Sequence, residues 1–462
     1  MPPHPQGSRA DQRKAIWGWA LYDWANSAFA TTVMAAFFPA FFKEFWSRGI
    51  DVNLTTARLG VGYALASLTL AVMAPVIGAV ADRGARRKRF LIALTGLGVV
   101  STAALALVPQ GAWPAALVTY AAAAIGFSGA IALYDAFLPL VAPPSRFDQV
   151  SSLGYALGYL GGGLLFVFNV LMTLKPHLFG LADGSQAVRL SFVSVAVWWG
   201  GFGAWSFIWM PSEPAGVPAS LWTHARQGFA QLRATFGRIR HYRPAFIFLL
   251  AYWCYIDGVD TIIKMAMDYG ISLGLQFNDL IVALLITQFI GFPAALAFGL
   301  LGRRWGARPG IYLALAIYMA VTIYGAMLER TVEFFILAAA IGLVQGGIQA
   351  LSRSYFARLI PAGQSAEFFG FYNMLGKFAA IVGPALMGIT GLMVKRTLLP
   401  PAPSPEQVHA IGLLATRTSI ISVLLLFIAG AVLLYFVPAE SAGAEPFFNR
   451  SPGEPERHNG AR

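Results

Sequence analysis

The run from Trp17 to Phe42 (WGWALYDWANSAFATTVMAAFFPAFF) carries Asp23 and Asn26 near its start. It is long enough to cross a bilayer, which takes roughly 20 apolar residues. Standing three apart, Asp23 and Asn26 share one face of a helix. An ionised carboxylate on a lipid-facing helix costs about 3 kcal/mol on insertion scales, so this face must turn toward other helices or toward water. A chain that contains such a segment is embedded in a membrane and keeps polar chemistry inside it.

The remainder agrees. Of 462 residues, 57% are hydrophobic and 12% charged, and the mean hydropathy is +0.63, whereas soluble domains are about 25% charged. Twelve spans are predicted, at about 17–42, 59–81, 90–109, 114–142, 151–174, 190–210, 245–270, 279–302, 310–328, 334–358, 367–394 and 418–437. They are read as helices because lipid leaves open backbone groups no partner and barrel strands would alternate in hydrophobicity. With the N-terminus placed inside, the inside segments carry more than twice as many Lys and Arg as the outside loops, which predicts both termini in the cytoplasm. That count includes Arg353 and Arg358 at the inner end of span 10, which are assigned to topology. The net charge of +12 sits in short loops, where it sets orientation rather than gripping nucleic acid. Residues 1–16 are short and polar, and the next run is too long for a cleaved signal, so an uncleaved anchor is expected. The single Cys254 lies in an apolar run and reads as a small core residue.

The expected organisation is a cytoplasmic tail (1–16), a six-helix bundle (17–210), a basic linker (211–244), a second six-helix bundle (245–437) and a polar tail (438–462). The linker contains RQGFAQLRATFGRIRHYR, amphipathic in pattern and suited to an anionic leaflet. The halves look like repeats: GAVADRGARRKRF (78–90) matches GLLGRRWGARPGI (299–311), LGYALGYLGGG matches FGFYNMLGKFA, and Asp23 with Asn26 is echoed by Asp257 with Asp260. Repeats in transporters enclose the solute site between them.

Span 2 leaves the membrane at Gly78-Ala-Val-Ala-Asp82-Arg83-Gly84-Ala85-Arg86-Arg87. This resembles the signature loop of the major facilitator superfamily. The resemblance implies that Gly78 allows close helix approach and that Asp82 and Arg83, with Arg86 and Arg87 following, form a charge latch stabilising the outward-facing state. The superfamily usually has glycine where this chain has Ala85, and the acidic position of the second half is here Arg303. Further, YDWANSAFA (22–30), YDAFLP (134–139), GYALGYLGGG (154–163), DGVDTI (257–262), GLVQGGIQALSRSYFARLIP (342–361) and EFFGFYNMLGKFAAIVGP (367–384) occur in order. Together they are similar to the branch named for the autophagy-related vacuolar amino-acid effluxer, whose bacterial members are called the unknown-major-facilitator family, over about 15–437. The resemblance implies an all-α integral membrane protein with the twelve-helix major facilitator fold in two pseudo-symmetric bundles. It also implies an alternating-access cavity and, for the vacuolar relatives, amino-acid export.

The intramembrane polar residues are candidates in their own right. At about 1.5 Å per residue, Asp23 and Asp135 lie at similar depth near the inner face. Asp257 and Lys377 lie near the midplane, with Asp260 and Lys264 on the Asp257 helix face. These four read either as a solute or proton pathway or as structural ion pairs. Asp23 and Asp135 read as gate or cavity wall, or as helix-to-helix hydrogen bonding with Asn26, Tyr22 and Tyr134. Gln345, Gln349 and Ser352 form one stripe beside Gly342, Gly346 and Gly347. With Tyr155, Tyr159, Tyr372 and Asn373 they read either as cavity lining or as interhelical contacts.

The leading expectation is a secondary transporter of a small polar or zwitterionic solute, with protons as a candidate coupling ion. Alternatives are a transporter fold acting as receptor or scaffold through its basic loop, or a carrier of sugars or drugs. Nothing in the chain resembles a nucleophile–base pair, a GxxxxGK[ST] loop, HExxH or CxxC, so neither an enzyme, an ATP-driven pump, a cofactor nor a metal is expected. The expected partners are a small-molecule solute, protons and the lipid bilayer, and a monomer suffices. The expected location is a bacterial inner membrane.

Overall fold

A computed structural model describes residues 8–84, 86–212, 243–272, 276–328, 330–361, 363–400 and 404–438. The side chains of Arg83, Lys264 and Lys377 lie outside the described set, as does nearly all of the basic linker. Among the described residues there are twelve long helices: α1 (Arg9–Trp46), α2 (Val52–Gly84), α3 (Arg87–Ala104), α4 (Trp113–Asp135), α5 (Phe147–Leu174), α6 (Gly184–Trp209), α7 (Arg243–Ser272), α8 (Phe277–Trp305), α9 (Ala307–Gly325), α10 (Thr331–Leu359), α11 (Ser365–Leu398) and α12 (Pro405–Tyr435). Among the described residues, ten helices are long and apolar enough to cross a membrane. Of the twelve, α2 and α11, at 33 and 34 residues, reach the required length. Val100, Val197, Leu300 and Leu425 are more than half exposed on their outer faces, as a lipid solvent requires.

The helix ends follow local chemistry. Ser8 and Asp11 form a capping box at the start of α1, and Ser404 and Gln407 do the same for α12. Gly111, Gly180, Gly306 and Gly363 take positive φ in the turns before α4, α6, α9 and α11. Two elements depart from the predicted spans. First, α1 continues to Trp46 and is wound as a π-helix over Phe29–Phe37, where the Phe38 N–H reaches back five residues to Val33. The wider winding comes just ahead of Pro39, which has no N–H to give. Second, α4 stops at Asp135, and a turn at Ala136–Phe137 leads into the short helix Leu138–Val141, with Pro139 near its start. Asp135 therefore stands at a helix end, not inside a span that runs to 142.

α1–α6 pack among themselves, as do α7–α12, and the groups meet chiefly where α11 lies on α2 and α4 and where α5 lies on α8 and α10. Twelve crossings bring the N-terminus of α1, the C-terminus of α12 and the α2–α3, α4–α5, α8–α9 and α10–α11 turns to one end of the bundle, the terminal end. There one hydrophobic core is continuous across both groups, from Trp19, Tyr134 and Phe147 to Tyr252, Phe356, Phe369 and Tyr372. Toward the opposite end the core falls into two smaller clusters, and Gln288 of α8 donates to Thr31 of α1 at 2.7 Å. One part is built on Phe29, Phe38, Trp46 and Trp199 of the first group, with Ile281 of α8 against it. The other is built on Leu280, Val321, Phe334 and Leu337 of the second.

Candidate functional site

The terminal end is held by charge as well as by packing, and Arg353 of α10 is its centre. The side chain is 2% exposed. Its Nη1 donates to Asp135 Oδ1 at 3.0 Å, and Nη1 and Nη2 approach Asp23 Oδ2 at 3.5 and 3.4 Å. Nε donates to Ser151 Oγ at 2.9 Å, and Nη2 to the Ser151 carbonyl at 2.8 Å. The guanidinium carbon lies 4.4 Å from the Tyr155 ring centre, 4.7 Å from Trp19 and 5.4 Å from Tyr134, within cation–π range. Tyr134 donates its hydroxyl to Asp23 Oδ2 at 2.8 Å, and its carbonyl accepts from Trp19 Nε1 at 2.9 Å. Asn373 of α11 donates to Asp135 Oδ2 at 3.0 Å. A Cβ on Gly154 would fall 2.5 Å from Asp23 Oδ2, so glycine is what lets α5 come this close. Arg353 and Asn373 belong to the second half; the other members of the network belong to the first. Removing a guanidinium and two carboxylates from water is costly, and only such full hydrogen bonding offsets it.

Two further contacts lie at the same end. Asp148, in the first turn of α5, takes Arg358 Nη2 at 2.8 Å and Nη1 at 3.0 Å and also accepts from Ser354 of α10. Asp82, at the end of α2, accepts from the backbone N–H groups of Ala366 at 3.2 Å and Glu367 at 2.8 Å. It caps the opening turn of α11, where the helix dipole favours an anion. Its ion pair is with Arg87, at 2.6 Å, across the break between α2 and α3. The latch expected between Asp82 and Arg83 lies outside the described side chains; Arg87, expected to follow it, pairs with Asp82, and Arg86 is the residue before α3. Gly78 is where α2 touches α11: a Cβ there would lie 2.2 Å from the Ala366 carbonyl oxygen. In the second half, where Arg303 replaces the acidic residue, the carboxylate is supplied from across the interface, by Asp148.

Asp148 and Arg358 test the strength of such a link. In a double-mutant cycle with Asp148→Asn and Arg358→Met, read out as terminal-end closure by cysteine cross-linking, a coupling of about 0.5–3 kcal/mol is expected. Strict additivity would mean that the pair does not bind the halves.

A family model described as "Vacuole effluxer Atg22 like" matches residues 11–58 and 49–391. An MFS-type transporter of Bacillus subtilis, YxiO, is 39% identical over 92% of this chain and 95% of its own length. The chain belongs to the Atg22-like family. The autophagy-related protein 22 of Coccidioides immitis is 21% identical, with 83% of each chain covered. Among solved structures, the human organic anion transporter MFSD10 superposes with a TM-score of 0.66 at 14% identity, over 94% of this chain and 100% of that one. The proton:xylose symporter XylE superposes at 0.65 and 13%, over 93% and 95%. At that identity these two show the fold, which is the major facilitator fold. This Atg22-like protein is a multi-pass membrane transporter, not an enzyme.

The remaining candidates of the transporter separate by location. Asp257 of α7 is 1% exposed. Its Oδ1 accepts from the Gly383 N–H at 2.9 Å and from Thr261 at 3.3 Å, while Oδ2 has no hydrogen-bond partner among the described residues. Gly383 precedes Pro384, whose missing N–H opens the α11 ladder at this level. Asp260, one turn on, is half-buried. Any pairing with Lys264 or Lys377 lies outside the described residues. Asn26 is buried, but its amide nitrogen has no partner among the described residues, so it is not joined to the Asp23 network there. Tyr22 is likewise turned away, to Thr95 at 2.6 Å. Tyr159 fills the seam between halves, against Gly291 and Gly346, where a Cβ would come within 2.8 and 2.6 Å. Gln345 and Gln349 are half-buried, whereas Ser352 of the same stripe pairs with Tyr255 inside its own half, at 2.6 Å.

The assignment of Arg353 and Arg358 to topology is corrected: both bind carboxylates of the other half. Depth was the available signal. Arg353 stands about one and a half turns before the end of α10, the same distance from the terminal end as Asp23 and Asp135 were read to be. Asp148 was missed because span 5 was predicted to begin at 151, whereas α5 begins at Phe147.

Proposed function

We propose that this transporter moves a small polar or zwitterionic solute by rocking its halves about a central site. In this reading the conformation described is closed at the cytoplasmic end. The observation that carries it is the unequal interface. Among the described residues, the ion pairs between halves all lie at the terminal end, where one large core runs across both halves, whereas toward the other end the halves are joined by the Ile281 contact and the Gln288–Thr31 hydrogen bond. The excess of Lys and Arg at the terminal end supports a cytoplasmic location for both termini, and the bacterial relative supports an inner membrane. The family description as an effluxer supports export, with amino acids as the first solutes to test. The lock comprises Asp23, Asp135, Arg353 and Asn373, flanked by Asp148–Arg358 and by Asp82 on α11.

Asp257 is the candidate proton carrier. One of its carboxylate oxygens is buried with no hydrogen-bond partner among the described residues, which leaves it open to a proton. Counterflow and uptake in proteoliposomes, across a panel of amino acids with and without a pH gradient, test the reading. Native protein is expected to exchange at least one polar solute in a gradient-sensitive way. Asp257→Asn is expected to exchange it with gradient sensitivity lost. Full pH-dependent uptake by Asp257→Asn would remove Asp257 from the coupling, and absence of exchange for all solutes would favour a receptor role.

A further inference from the structure

The groups around the Arg353 guanidinium form a site that is nearly complete on one half of the molecule. Trp19 and Asp23 come from α1, Tyr134 and Asp135 from α4, and Ser151 and Tyr155 from α5. Together they present two carboxylates, a hydroxyl, a backbone carbonyl and three aromatic faces. Every nitrogen of the guanidinium finds an acceptor among them, at 2.8–3.5 Å. From the other half, among the described residues, Asn373 touches Asp135 and the Ala350 carbonyl takes the Ser151 hydroxyl at 2.8 Å; neither touches the guanidinium. The planar cation lies against Trp19 and Tyr155 at 4.7 and 4.4 Å. A lock needs opposite charges. It does not need three ring faces and a full set of acceptors shaped for one flat cation.

When the terminal end opens, α10 withdraws and takes its cation with it. The first half then keeps two carboxylates and an aromatic box with no cation in them. Leaving two carboxylates close together and unpaired in a partly desolvated site is costly, and aromatic faces reward an organic cation that returns there. We propose that this box is a recognition site for a guanidinium- or ammonium-bearing solute, for which Arg353 is the built-in stand-in. The cytoplasmic solute and Arg353 compete for one site, so loading from the cytoplasm and closure of that end exclude each other until the solute has moved on. This deepens the alternating-access reading and rests on it. It narrows the solute class to compounds of net positive charge that carry a guanidinium or a side-chain ammonium, which suit a site with two carboxylates.

The test is chemical rescue on purified full-length protein. Arg353→Ala, eluting as a single species, is titrated with methylguanidinium and with urea, a neutral planar isostere, and thermal stability is followed. Methylguanidinium is expected to stabilise this variant with an apparent affinity about tenfold or more above that for the native chain, because a ligand of the folded state stabilises by mass action. Urea is expected to do nothing at the same concentration. Asp135→Asn in the Arg353→Ala background is expected to lose the effect. In the native chain, arginine, agmatine or lysine is expected to stabilise and to exchange in counterflow, with leucine and glutamine inert. Equal response to methylguanidinium and urea overturns the proposal. So does native protein that exchanges only neutral solutes, which would leave Arg353 a lock alone. Failure of the alternating-access reading is distinguishable: terminal-end cross-linking would be unchanged by Arg353→Ala while methylguanidinium still bound.

Discussion

Arg353→Ala is expected to abolish solute exchange in proteoliposomes and to cost the closed state about 3–5 kcal/mol, the range found when one partner of a buried charge pair is removed. The substitution leaves Asp23 and Asp135, 8% and 3% exposed, with Tyr134 and Asn373 as their remaining donors. Two buried carboxylates facing each other without a cation repel, and the cheapest relief is separation of the halves to admit water. Closure can be followed by disulfide formation between cysteines placed at Ala136 and Ser365 in a Cys254→Ala background. Those positions adjoin across the halves, the Ser365 hydroxyl donating to the Ala136 carbonyl at 3.1 Å. Cross-linking is expected to fall sharply in Arg353→Ala. Arg353→Lys is expected to recover little, because one ammonium cannot reach both carboxylates and both Ser151 oxygens while lying flat between Trp19 and Tyr155. Cross-linking and exchange at native levels in Arg353→Ala would refute the lock.

Gly78→Ala is the second large effect. The added Cβ meets the Ala366 carbonyl oxygen at 2.2 Å and its carbon at 2.7 Å. These are backbone atoms in the opening turn of α11, and they cannot rotate away as a side chain would. The helices must part by the better part of an ångström, and the same shift lengthens the bonds from Asp82 to the Ala366 and Glu367 N–H groups. An overpacked contact of this kind costs about 1–3 kcal/mol, here charged to the closed state alone. Exchange is expected to drop about tenfold or more, and the Ala136–Ser365 cross-link with it. Gly60→Ala on the same helix is the control: nothing lies within 4 Å of its Cβ, and alanine favours a helix over glycine by about 1 kcal/mol. Similar losses in both variants would trace the effect to α2 itself rather than to its contact with α11.

The two predictions differ in how far the sequence reaches. Gly78 and Asp82 were legible through the resemblance to the superfamily's signature loop, whose glycine and acidic residue stand at a fixed spacing. Asp82's pairing with Arg87 was not, because the gap between α2 and α3 turns the basic run by an amount no spacing encodes. Asp23 and Asp135 were legible as polar groups at one depth, since a bilayer makes depth a coordinate that counting residues recovers. Their role was not, because the cation between them stands 330 residues from Asp23 and 218 from Asp135. Asn26, three residues from Asp23, shares its face only loosely. Three residues fall about 60° short of a full turn, enough to turn its amide away from the network.

What the sequence by itself determined is the membrane, the helices and the fold. Lipid leaves the backbone no partner but itself, so apolar length translates directly into spans, and the repeat between halves carries their arrangement. What only the tertiary structure decided is pairing: Arg353 with Asp23 and Asp135, Arg358 with Asp148, Asp82 with the start of α11, and Asp257 with the Gly383 N–H. Each depends on which helix faces lie together across two halves that can rock, and on which end of the bundle they close. That is a property of packed surfaces, to which distance along the chain is blind.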